Sequence, residues 1–213
     1  MRRLDPRLTA AIVLTGGGST RMGRHKPALV VGGRPIIVRI LEAAQAHRAV
    51  VVGRPDAVPE GVLVVQEAPP GGGPVAGVAA GLTAIDRACA RDDAPGPELV
   101  AVLAGDLPFL TAAPLAQLFA ALASGPDGWR RPDVALVVDQ EGSLNWLCAV
   151  WRADVLRARL AALGTPTPAG LAGVSMRRLT SNVRRVQVLD AAGWSTDVDT
   201  PAELAEARRR PEP

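Results

Sequence analysis

The chain of 213 residues has an apolar fraction of 48% and a formal net charge of +3 at pH 7, a composition typical of a globular protein with a sizeable core. Its length predicts a single domain over residues 1–213. No apolar run reaches the roughly eighteen residues of a membrane span, and the charged start is unlike a signal peptide, so we expect a cytoplasmic protein without membrane contact. The absence of a basic stripe and of tyrosine argues against nucleic-acid binding.

The chain contains one lysine, Lys26, and every other basic residue is arginine. Lysine supplies a compact point charge where arginine supplies a planar fork, so Lys26 is a candidate anion contact; an incidental lysine on a solvated loop is the alternative. The two cysteines, Cys89 and Cys148, lie far apart on apolar segments without CxxC spacing. This spacing predicts buried thiols rather than a disulfide or a zinc site.

Short apolar runs alternate with amphipathic patterns along the chain. The chain predicts strands at residues 10–14, 49–52, 62–65, 99–103, 134–138, 146–151 and 185–189. The β-branched composition of the four runs at 49–52, 62–65, 99–103 and 134–138 is typical of buried parallel strands. Apolar spacing predicts helices over residues 36–47, 78–89 and 115–122, and a capping-box pattern at Thr200 predicts the start of a last helix. Together these elements predict an α/β fold, a three-layer α/β/α sandwich around a mostly parallel, Rossmann-like sheet of about seven strands.

The first predicted strand runs into a glycine-rich loop. Its three consecutive glycines, at residues 16–18, leave backbone N–H groups open to phosphate oxygens. The Walker pattern fails because arginine and histidine follow Gly23, and the dinucleotide pattern fails because it requires glycine where Arg21 stands. Arg21 and Lys26 remain as two cations that can neutralise the tail of a triphosphate.

Two segments offer carboxylates for a metal ion. Asp106 follows the predicted strand at residues 99–103, and open α/β sheets bind ligands beyond such strand ends. An oxygen ligand at this place suits Mg²⁺; the alternative is a turn-forming aspartate. Asp197 and Asp199 stand two residues apart, so an extended segment points both side chains the same way. Either they complete the metal site, or Asp199 favours the N-terminus of the helix that follows.

The segment LTGGGSTRMGRHKPAL resembles the L-x-G-G-x-S-x-R-M-G-x-x-K signature of the MobA-like nucleotidyltransferases. Most of the chain resembles this family in length, strand order and later motifs. The resemblance implies a fold of the nucleotide-diphospho-sugar transferase type, Mg²⁺ as cofactor at Asp106 with Asp199 as a second ligand, and Arg21, Lys26 and Asp106 as catalytic residues. The nucleotide contacts that it implies are Leu14, Thr15, Gly16, Gly17, Gly18, Arg21, Lys26, Glu67, Gly77 and Asp106.

Three further positions bear on the substrates. Glu67 precedes a stretch that resembles the G-P-L-A-G segment with which the family contacts base and ribose. Its carboxylate would accept hydrogen bonds from guanine N1–H and the 2-amino group, a donor pair that cytosine lacks; a solvated carboxylate is the alternative. Asn145 and Trp146 are candidates for the acceptor site. His25 departs from the family pattern, because guanylyltransferases commonly have an acid at this position.

The resemblance implies a Mg²⁺-dependent transferase that moves GMP from GTP to the terminal phosphate of molybdenum cofactor (molybdopterin) and releases pyrophosphate. It also implies accessory cofactor-biosynthesis or acceptor enzymes as partners. Three alternatives stay open: CMP transfer to molybdopterin, nucleotide transfer to a sugar phosphate, and a nucleotide-binding sensor without turnover.

Overall fold

This computed structural model describes residues 9–16, 25–123, 131–164 and 170–210. The helices and strands of the described residues are, in chain order, β1 (Thr9–Leu14), a 3₁₀ helix (Lys26–Ala28), β2 (Val30–Val31), β3 (Arg34–Pro35), α1 (Ile36–Ala44), β4 (Arg48–Val52), β5 (Leu63–Val65), α2 (Pro74–Arg91), β6 (Leu99–Ala104), α3 (Ala112–Ala123), β7 (Val134–Val138), β8 (Leu144–Arg152), α4 (Ala153–Leu163), α5 (Met176–Leu179), β9 (Arg185–Leu189) and α6 (Pro201–Arg209).

Seven of the strands form one sheet in the order β5-β4-β1-β6-β8-β7-β9. Strand β8 pairs antiparallel with both of its neighbours, and the other pairs are parallel. The prediction of a mostly parallel sheet of about seven strands is therefore confirmed. The carboxyl ends of the six strands that run in the same direction lie along one edge of the sheet. The strand order changes direction between β1 and β6, and open α/β sheets bind their ligands at such a switch point.

The two faces of the sheet are covered by different helices, because alternate residues of each strand point to opposite sides. On β1, Ala11 and Val13 pack with α1, α3 and α6, whereas Ala10, Ile12 and Leu14 pack with α2, α4 and α5. Both layers are apolar and well buried. The three-layer arrangement predicted from the sequence is thus confirmed.

Several predicted elements are corrected at their ends. The first helix ends at Ala44 rather than at residue 47, because Gln45 adopts a left-handed conformation with φ of 44°. Strand β5 is not a buried strand but the edge of the sheet, and Leu63 is 40% exposed. Strand β8 is longer than predicted and antiparallel. The 3₁₀ helix, the β2–β3 hairpin, α4 and α5 were not predicted.

Other features of the sequence have the structure that their patterns predicted. Helix α6 begins with a complete capping box between Thr200 and Glu203. Cys89 and Cys148 are buried and unpaired. None of the helices in the described parts of the chain has the length and apolar character needed to cross a bilayer. The prediction of a single domain over residues 1–213 stays a prediction.

Candidate functional site

A cavity of about 1260 Å³ lies at the carboxyl edge of the sheet. Leu14, Gly16 and Asp106 line it at the ends of β1 and β6, and residues 139–141 and 143–147 line it from the β7–β8 turn and the start of β8. Residues 73–74 and 173–177 close one side, and residues 190, 193 and 195–197 another. The cavity therefore extends from the end of β1, where the glycine-rich loop begins, to Asn145 and Trp146, the two candidates for the acceptor site.

Asp106 reaches the cavity because the residue before it has no side chain. A Cβ on Gly105 would lie 3.0 Å from both Leu14 O and Pro27 Cγ, closer than real Cβ contacts allow without a shift of the neighbours. The Gly105 N–H donates to Leu14 O at 2.9 Å. This close approach holds the 3₁₀ helix, and with it Lys26, against the ends of β1 and β6.

Three carboxylates meet at this place. Asp106, Asp197 and Asp199 each offer one oxygen, and these oxygens lie within 4.8 Å of one another. The Val198 N–H donates to Asp106 O at 3.2 Å, which fixes the C-terminal pair beside the end of β6. Burial raises the pKa of Asp106, with the charges of Asp197 and Asp199 adding to the rise and the Lys26 ammonium opposing it. Burial also raises the pKa of Asp197.

This donor set fits the Mg²⁺ that the sequence predicted. Mg²⁺ prefers oxygen ligands and is usually held by one or two protein carboxylates while it keeps several waters. Burial is the main cause of the raised pKa values of Asp106 and Asp197, and the neighbouring carboxylates add to the rise. A divalent cation would neutralise this crowded negative charge. The sequence left Asp197 and Asp199 open between a metal site and a helix cap, and the structure brings both carboxylates to Asp106.

Lys26 contacts the same group of acids. Its Nζ pairs with Asp199 Oδ1 and lies 3.6 Å from Asp106 Oδ2. Burial alone would lower the pKa of Lys26, but the hydrogen bond to Asp199 and the charges of Asp106 and Asp199 leave the pKa raised. The only lysine of the chain is therefore a charged group next to the carboxylates. The phosphate contact that its place after the glycine loop predicted stays a prediction.

The predicted nucleotide contacts at the end of β1 differ in their surroundings. Leu14 and Gly16 line the cavity. Thr15 is buried and turned away, with its hydroxyl donating to Val52 O at 3.1 Å. Gly77 lies within α2, where a Cβ would stand 3.1 Å from Leu14 Cδ2. Thr15 and Gly77 therefore shape the backbone around the cavity, and a direct nucleotide contact by either stays a prediction.

Glu67 lies beside the start of the glycine loop. Its Oε1 accepts a hydrogen bond from Gly71 N–H at 3.0 Å and stands 3.8 Å from an ideal Cβ on Gly16. A carboxylate is thus held next to the loop, although it is not part of the cavity lining. The contact with guanine stays a prediction.

Part of the predicted loop lies outside the described residues, namely Gly17, Gly18 and Arg21. His25, which departs from the family pattern, is nearly buried between two segments. Its Nε2 lies 3.0 Å from Thr15 O, and its Nδ1 lies 3.3 Å from Asp56 Oδ2. His25 therefore links the end of β1 to the segment between β4 and β5.

The two predicted acceptor residues both line the cavity. The Asn145 amide nitrogen donates to Ser195 O at 3.1 Å, and its Oδ1 accepts from Leu147 N–H at 3.0 Å. Asn145 thus already holds the start of β8 against the segment that follows β9. Trp146 is half-buried on the same wall. An acceptor contact by either residue stays a prediction.

Sequence reasoning missed several residues of the cavity. Asp190 accepts hydrogen bonds from Ser195 Oγ–H at 2.7 Å and from Ser195 N–H at 2.8 Å, so it orders the loop that leads to Asp197. Arg177, on α5, is the one cation of the lining within the described residues. Helix α2 begins at Pro74, which lines the cavity, and its N-terminus has no side-chain cap. Only this last feature had a local signal, the proline at the first helical position.

The fold and the site define an α/β protein with a large cavity at the carboxyl edge of its sheet and a group of three carboxylates beside a lysine. Residues 11–185 match the MobA-like NTP transferase domain. Because the match covers well over half of the chain, the chain belongs to this family, as the resemblance implied.

The chain is similar to proteins named molybdenum cofactor guanylyltransferase. It is 31% identical to the one from Rhizobium meliloti over 147 residues, which are 66% of this chain and 62% of that protein. It is 32% identical to the one from Rhodobacter capsulatus over 165 residues, which are 75% of this chain and 83% of that protein. The match thus spans less than two thirds of the Rhizobium meliloti relative.

A solved structure has the same fold. The crystal structure of molybdopterin-guanine dinucleotide biosynthesis protein A from Archaeoglobus fulgidus superposes with a TM-score of 0.66 at 20% identity. The superposition covers 93% of this chain and 96% of the other. At this level of identity the likeness supports the fold alone.

Proposed function

We propose that this chain transfers the GMP group of GTP to the terminal phosphate of molybdopterin and releases pyrophosphate in a Mg²⁺-dependent reaction. The observation that carries the proposal is the meeting of Lys26 with Asp106, Asp197 and Asp199 at the carboxyl edge. A lysine beside three carboxylates can serve a metal-bound triphosphate, since it supplies positive charge to phosphate oxygens while the acids hold the cation. The names of the similar proteins supply the guanine and the acceptor.

The proposed reaction is an in-line displacement at phosphorus. An oxygen of the acceptor's terminal phosphate forms a bond to the α-phosphorus of GTP, while the bond from that phosphorus to the bridging oxygen of the β-phosphate breaks. Pyrophosphate leaves with the electron pair, and a phosphoanhydride joins GMP to the acceptor. The attacking phosphate needs no general base, because its second pKa of about 6 leaves it largely ionised near pH 7.

The residues of the chain mainly arrange charge in this reaction. Asp106, Asp197 and Asp199 would hold Mg²⁺ by their oxygens, and bound Mg²⁺ supplies charge neutralisation at the phosphoryl oxygens. Lys26 would exchange its contact with Asp199 for a contact with the triphosphate, where it stabilises the leaving pyrophosphate. Arg21, together with the N–H groups of Gly17 and Gly18, would bind the same phosphates.

The size and lining of the cavity support two substrates in one site. Its volume of about 1260 Å³ exceeds the roughly 300–1,000 Å³ of a typical small-molecule pocket. The nucleotide would lie near Gly16, Glu67 and the start of α2. The acceptor would lie near Asn145 and Trp146, with its terminal phosphate towards Asp106.

A pyrophosphate-release assay tests the proposal. The protein is mixed with molybdopterin and Mg²⁺, and GTP, CTP, ATP and UTP are compared. We expect release with GTP that needs both the acceptor and the metal. Release with CTP in place of GTP would indicate CMP transfer, and release only with a sugar phosphate as acceptor would change the acceptor class. Tight GTP binding without any release would indicate a nucleotide sensor.

A further inference from the structure

Arg210, which follows the last residue of α6, contacts two loops of the site. Arg210 Nη1 donates to Gly193 O at 3.1 Å, and its Nη2 donates to Ala192 O. Its guanidinium carbon lies 4.2 Å from the centroid of the Phe109 ring. One side chain thus contacts the loop after β9 and the loop after β6.

These two loops carry the carboxylates of the proposed metal site. Phe109 follows Asp106 by three residues, and Gly193 precedes Asp197 by four. Within the described residues, one backbone hydrogen bond joins the two loops directly, from Val198 N–H to Asp106 O at 3.2 Å. Arg210 adds a second connection between them.

We propose that Arg210 is a positioning residue that sets the spacing between Asp106 and the pair formed by Asp197 and Asp199. The inference rests on the metal site of the proposed function. The planar guanidinium can donate to two carbonyls at once while its face covers an aromatic ring, and an ammonium cannot match all of these contacts. The residues involved at 192–210 lie beyond the matched family segment, which ends at residue 185.

The Gly193 backbone, on the other side of this contact, has a left-handed conformation and lies in ordinary van der Waals contact with the guanidinium. Gly193 has φ of 69°, a conformation that favours glycine, and a Cβ there would stand 3.5 Å from Arg210 Nη1. Phe109 is nearly buried, so its ring has little freedom to move. Arg210 therefore contacts a fixed ring and a fixed turn, which is what a spacer between two loops requires.

The neighbouring Arg209 offers a matched control. Its guanidinium pairs with Glu206 at 2.7 Å and donates to Ala205 O at 3.3 Å, so both of its contacts stay within α6. A substitution at Arg209 removes the same charge from the same end of the helix without touching the two loops. It separates a general effect of charge or helix stability from the positioning effect.

The test measures Mn²⁺ binding to the whole chain without nucleotide, by electron paramagnetic resonance of free Mn²⁺. Arg210→Met, Arg210→Lys and Arg209→Met are compared with the parent protein, and circular dichroism confirms that each is folded at the working temperature. We expect Arg210→Met to weaken Mn²⁺ binding about tenfold, the lower end of the range for residues that support metal ligands. Arg210→Lys should recover part of the affinity, and Arg209→Met should bind as the parent does.

Two results would overturn the inference: Mn²⁺ affinity of Arg210→Met within twofold of the parent, or an equal loss in Arg209→Met. If Arg210→Met does not fold, Arg210→Lys and Phe109→Leu replace it, and parent-like Mn²⁺ affinity in both would be equally contrary. A parent protein that binds no Mn²⁺ would remove the metal site of the proposed function, and this inference with it. If the parent binds Mn²⁺ and the variants bind it equally well, the inference about Arg210 is wrong, but the proposed metal site is not affected.

Discussion

The two halves of the cavity are built by different means. The half proposed for the nucleotide, called the nucleotide half, is formed by Leu14, Gly16 and the segment from Gly105 to Asp106. It depends on the missing side chain of Gly105, which lets backbone segments approach each other. The half proposed for the acceptor, called the acceptor half, is formed by Asn145, Asp190 and Ser195. It depends on hydrogen-bonded polar side chains: Asn145 donates to the distant Ser195 O, and Asp190 accepts from the N–H and the hydroxyl of Ser195. The nucleotide half therefore depends on close packing, and the acceptor half depends on hydrogen bonds between polar groups.

Because of this difference, we expect the two halves to respond differently to substitution. An added methyl group harms the nucleotide half, because close-packed segments have no room for it. The loss of one polar group harms the acceptor half, because its buried partners are left without a hydrogen bond. Asp106 stands where the halves meet, so its loss should affect both.

Asp106→Asn should have the largest effect. It removes a carboxylate from the group that would hold Mg²⁺, a contribution of several kcal/mol to the stabilisation of the transition state, so we expect turnover to fall about a thousandfold or more. The chain should fold as before, because the uncharged side chain has nearly the same size. Pyrophosphate release measures the effect, and near-normal release by a folded variant would mean that Asp106 does not serve both halves.

Gly105→Ala should damage the nucleotide half. The added Cβ would stand 3.0 Å from Leu14 O and from Pro27 Cγ, so we expect the free energy of unfolding to fall by about 1–3 kcal/mol. The KM for GTP should rise more than the KM for the acceptor, because the 3₁₀ helix with Lys26 is displaced. Urea unfolding and steady-state kinetics measure both effects.

Gly96→Ala is the control for this substitution, because its Cβ would meet only the end of the Arg157 side chain at 3.4 Å. We expect a change in the free energy of unfolding within about 0.5 kcal/mol. Equal effects of the two substitutions would contradict the account of the nucleotide half.

Asp190→Asn should damage the acceptor half in a pH-dependent manner. Burial alone would raise the pKa of Asp190, but hydrogen bonds from Ser195 and from the Trp194 N–H leave it lowered. A lowered pKa in the folded state means that the carboxylate contributes stability above its unfolded pKa of about 3.9 and loses that contribution as the pH falls through the folded pKa. We expect Asp190→Asn to cost about 1–3 kcal/mol at pH 7.

The cost of Asp190→Asn should shrink as the pH falls below about 4. Urea unfolding of the parent and the variant between pH 7 and pH 3 measures it, with Asp154→Asn as a control because Asp154 is 71% exposed. A cost that stayed constant or grew on acidification would argue against a stabilising carboxylate at this position.

The fold could be predicted from the sequence because its signals are local. Strands β7 and β9 have the predicted bounds. Strand β7 is a short apolar run between two aspartates, and β9 alternates polar and apolar residues before Asp190. The short β2–β3 hairpin and α5 were missed because two-residue strands and a four-residue helix carry too few residues for a periodic pattern. Strand β8 was found, but its direction depends on partners far away in the chain.

Some residues of the candidate site are likewise marked by local sequence signals, and others are not. Lys26 and Asp106 could be predicted because a glycine loop and a strand end mark them in the sequence. Asp190, Ser195 and Arg210 could not, because their roles arise from contacts that only the folded chain creates. For Asp197 and Asp199 the sequence offered two interpretations, and their convergence on Asp106 favours the metal site.

The most direct test follows the label of GTP. The protein is incubated with Mg²⁺, molybdopterin and GTP that carries its label on either the α- or the γ-phosphate, with Asp106→Asn as the inactive control. The account predicts that the α-label appears in the acceptor product and the γ-label in pyrophosphate. An α-label that stays in GTP, or a γ-label that reaches the acceptor, would contradict guanylyl transfer.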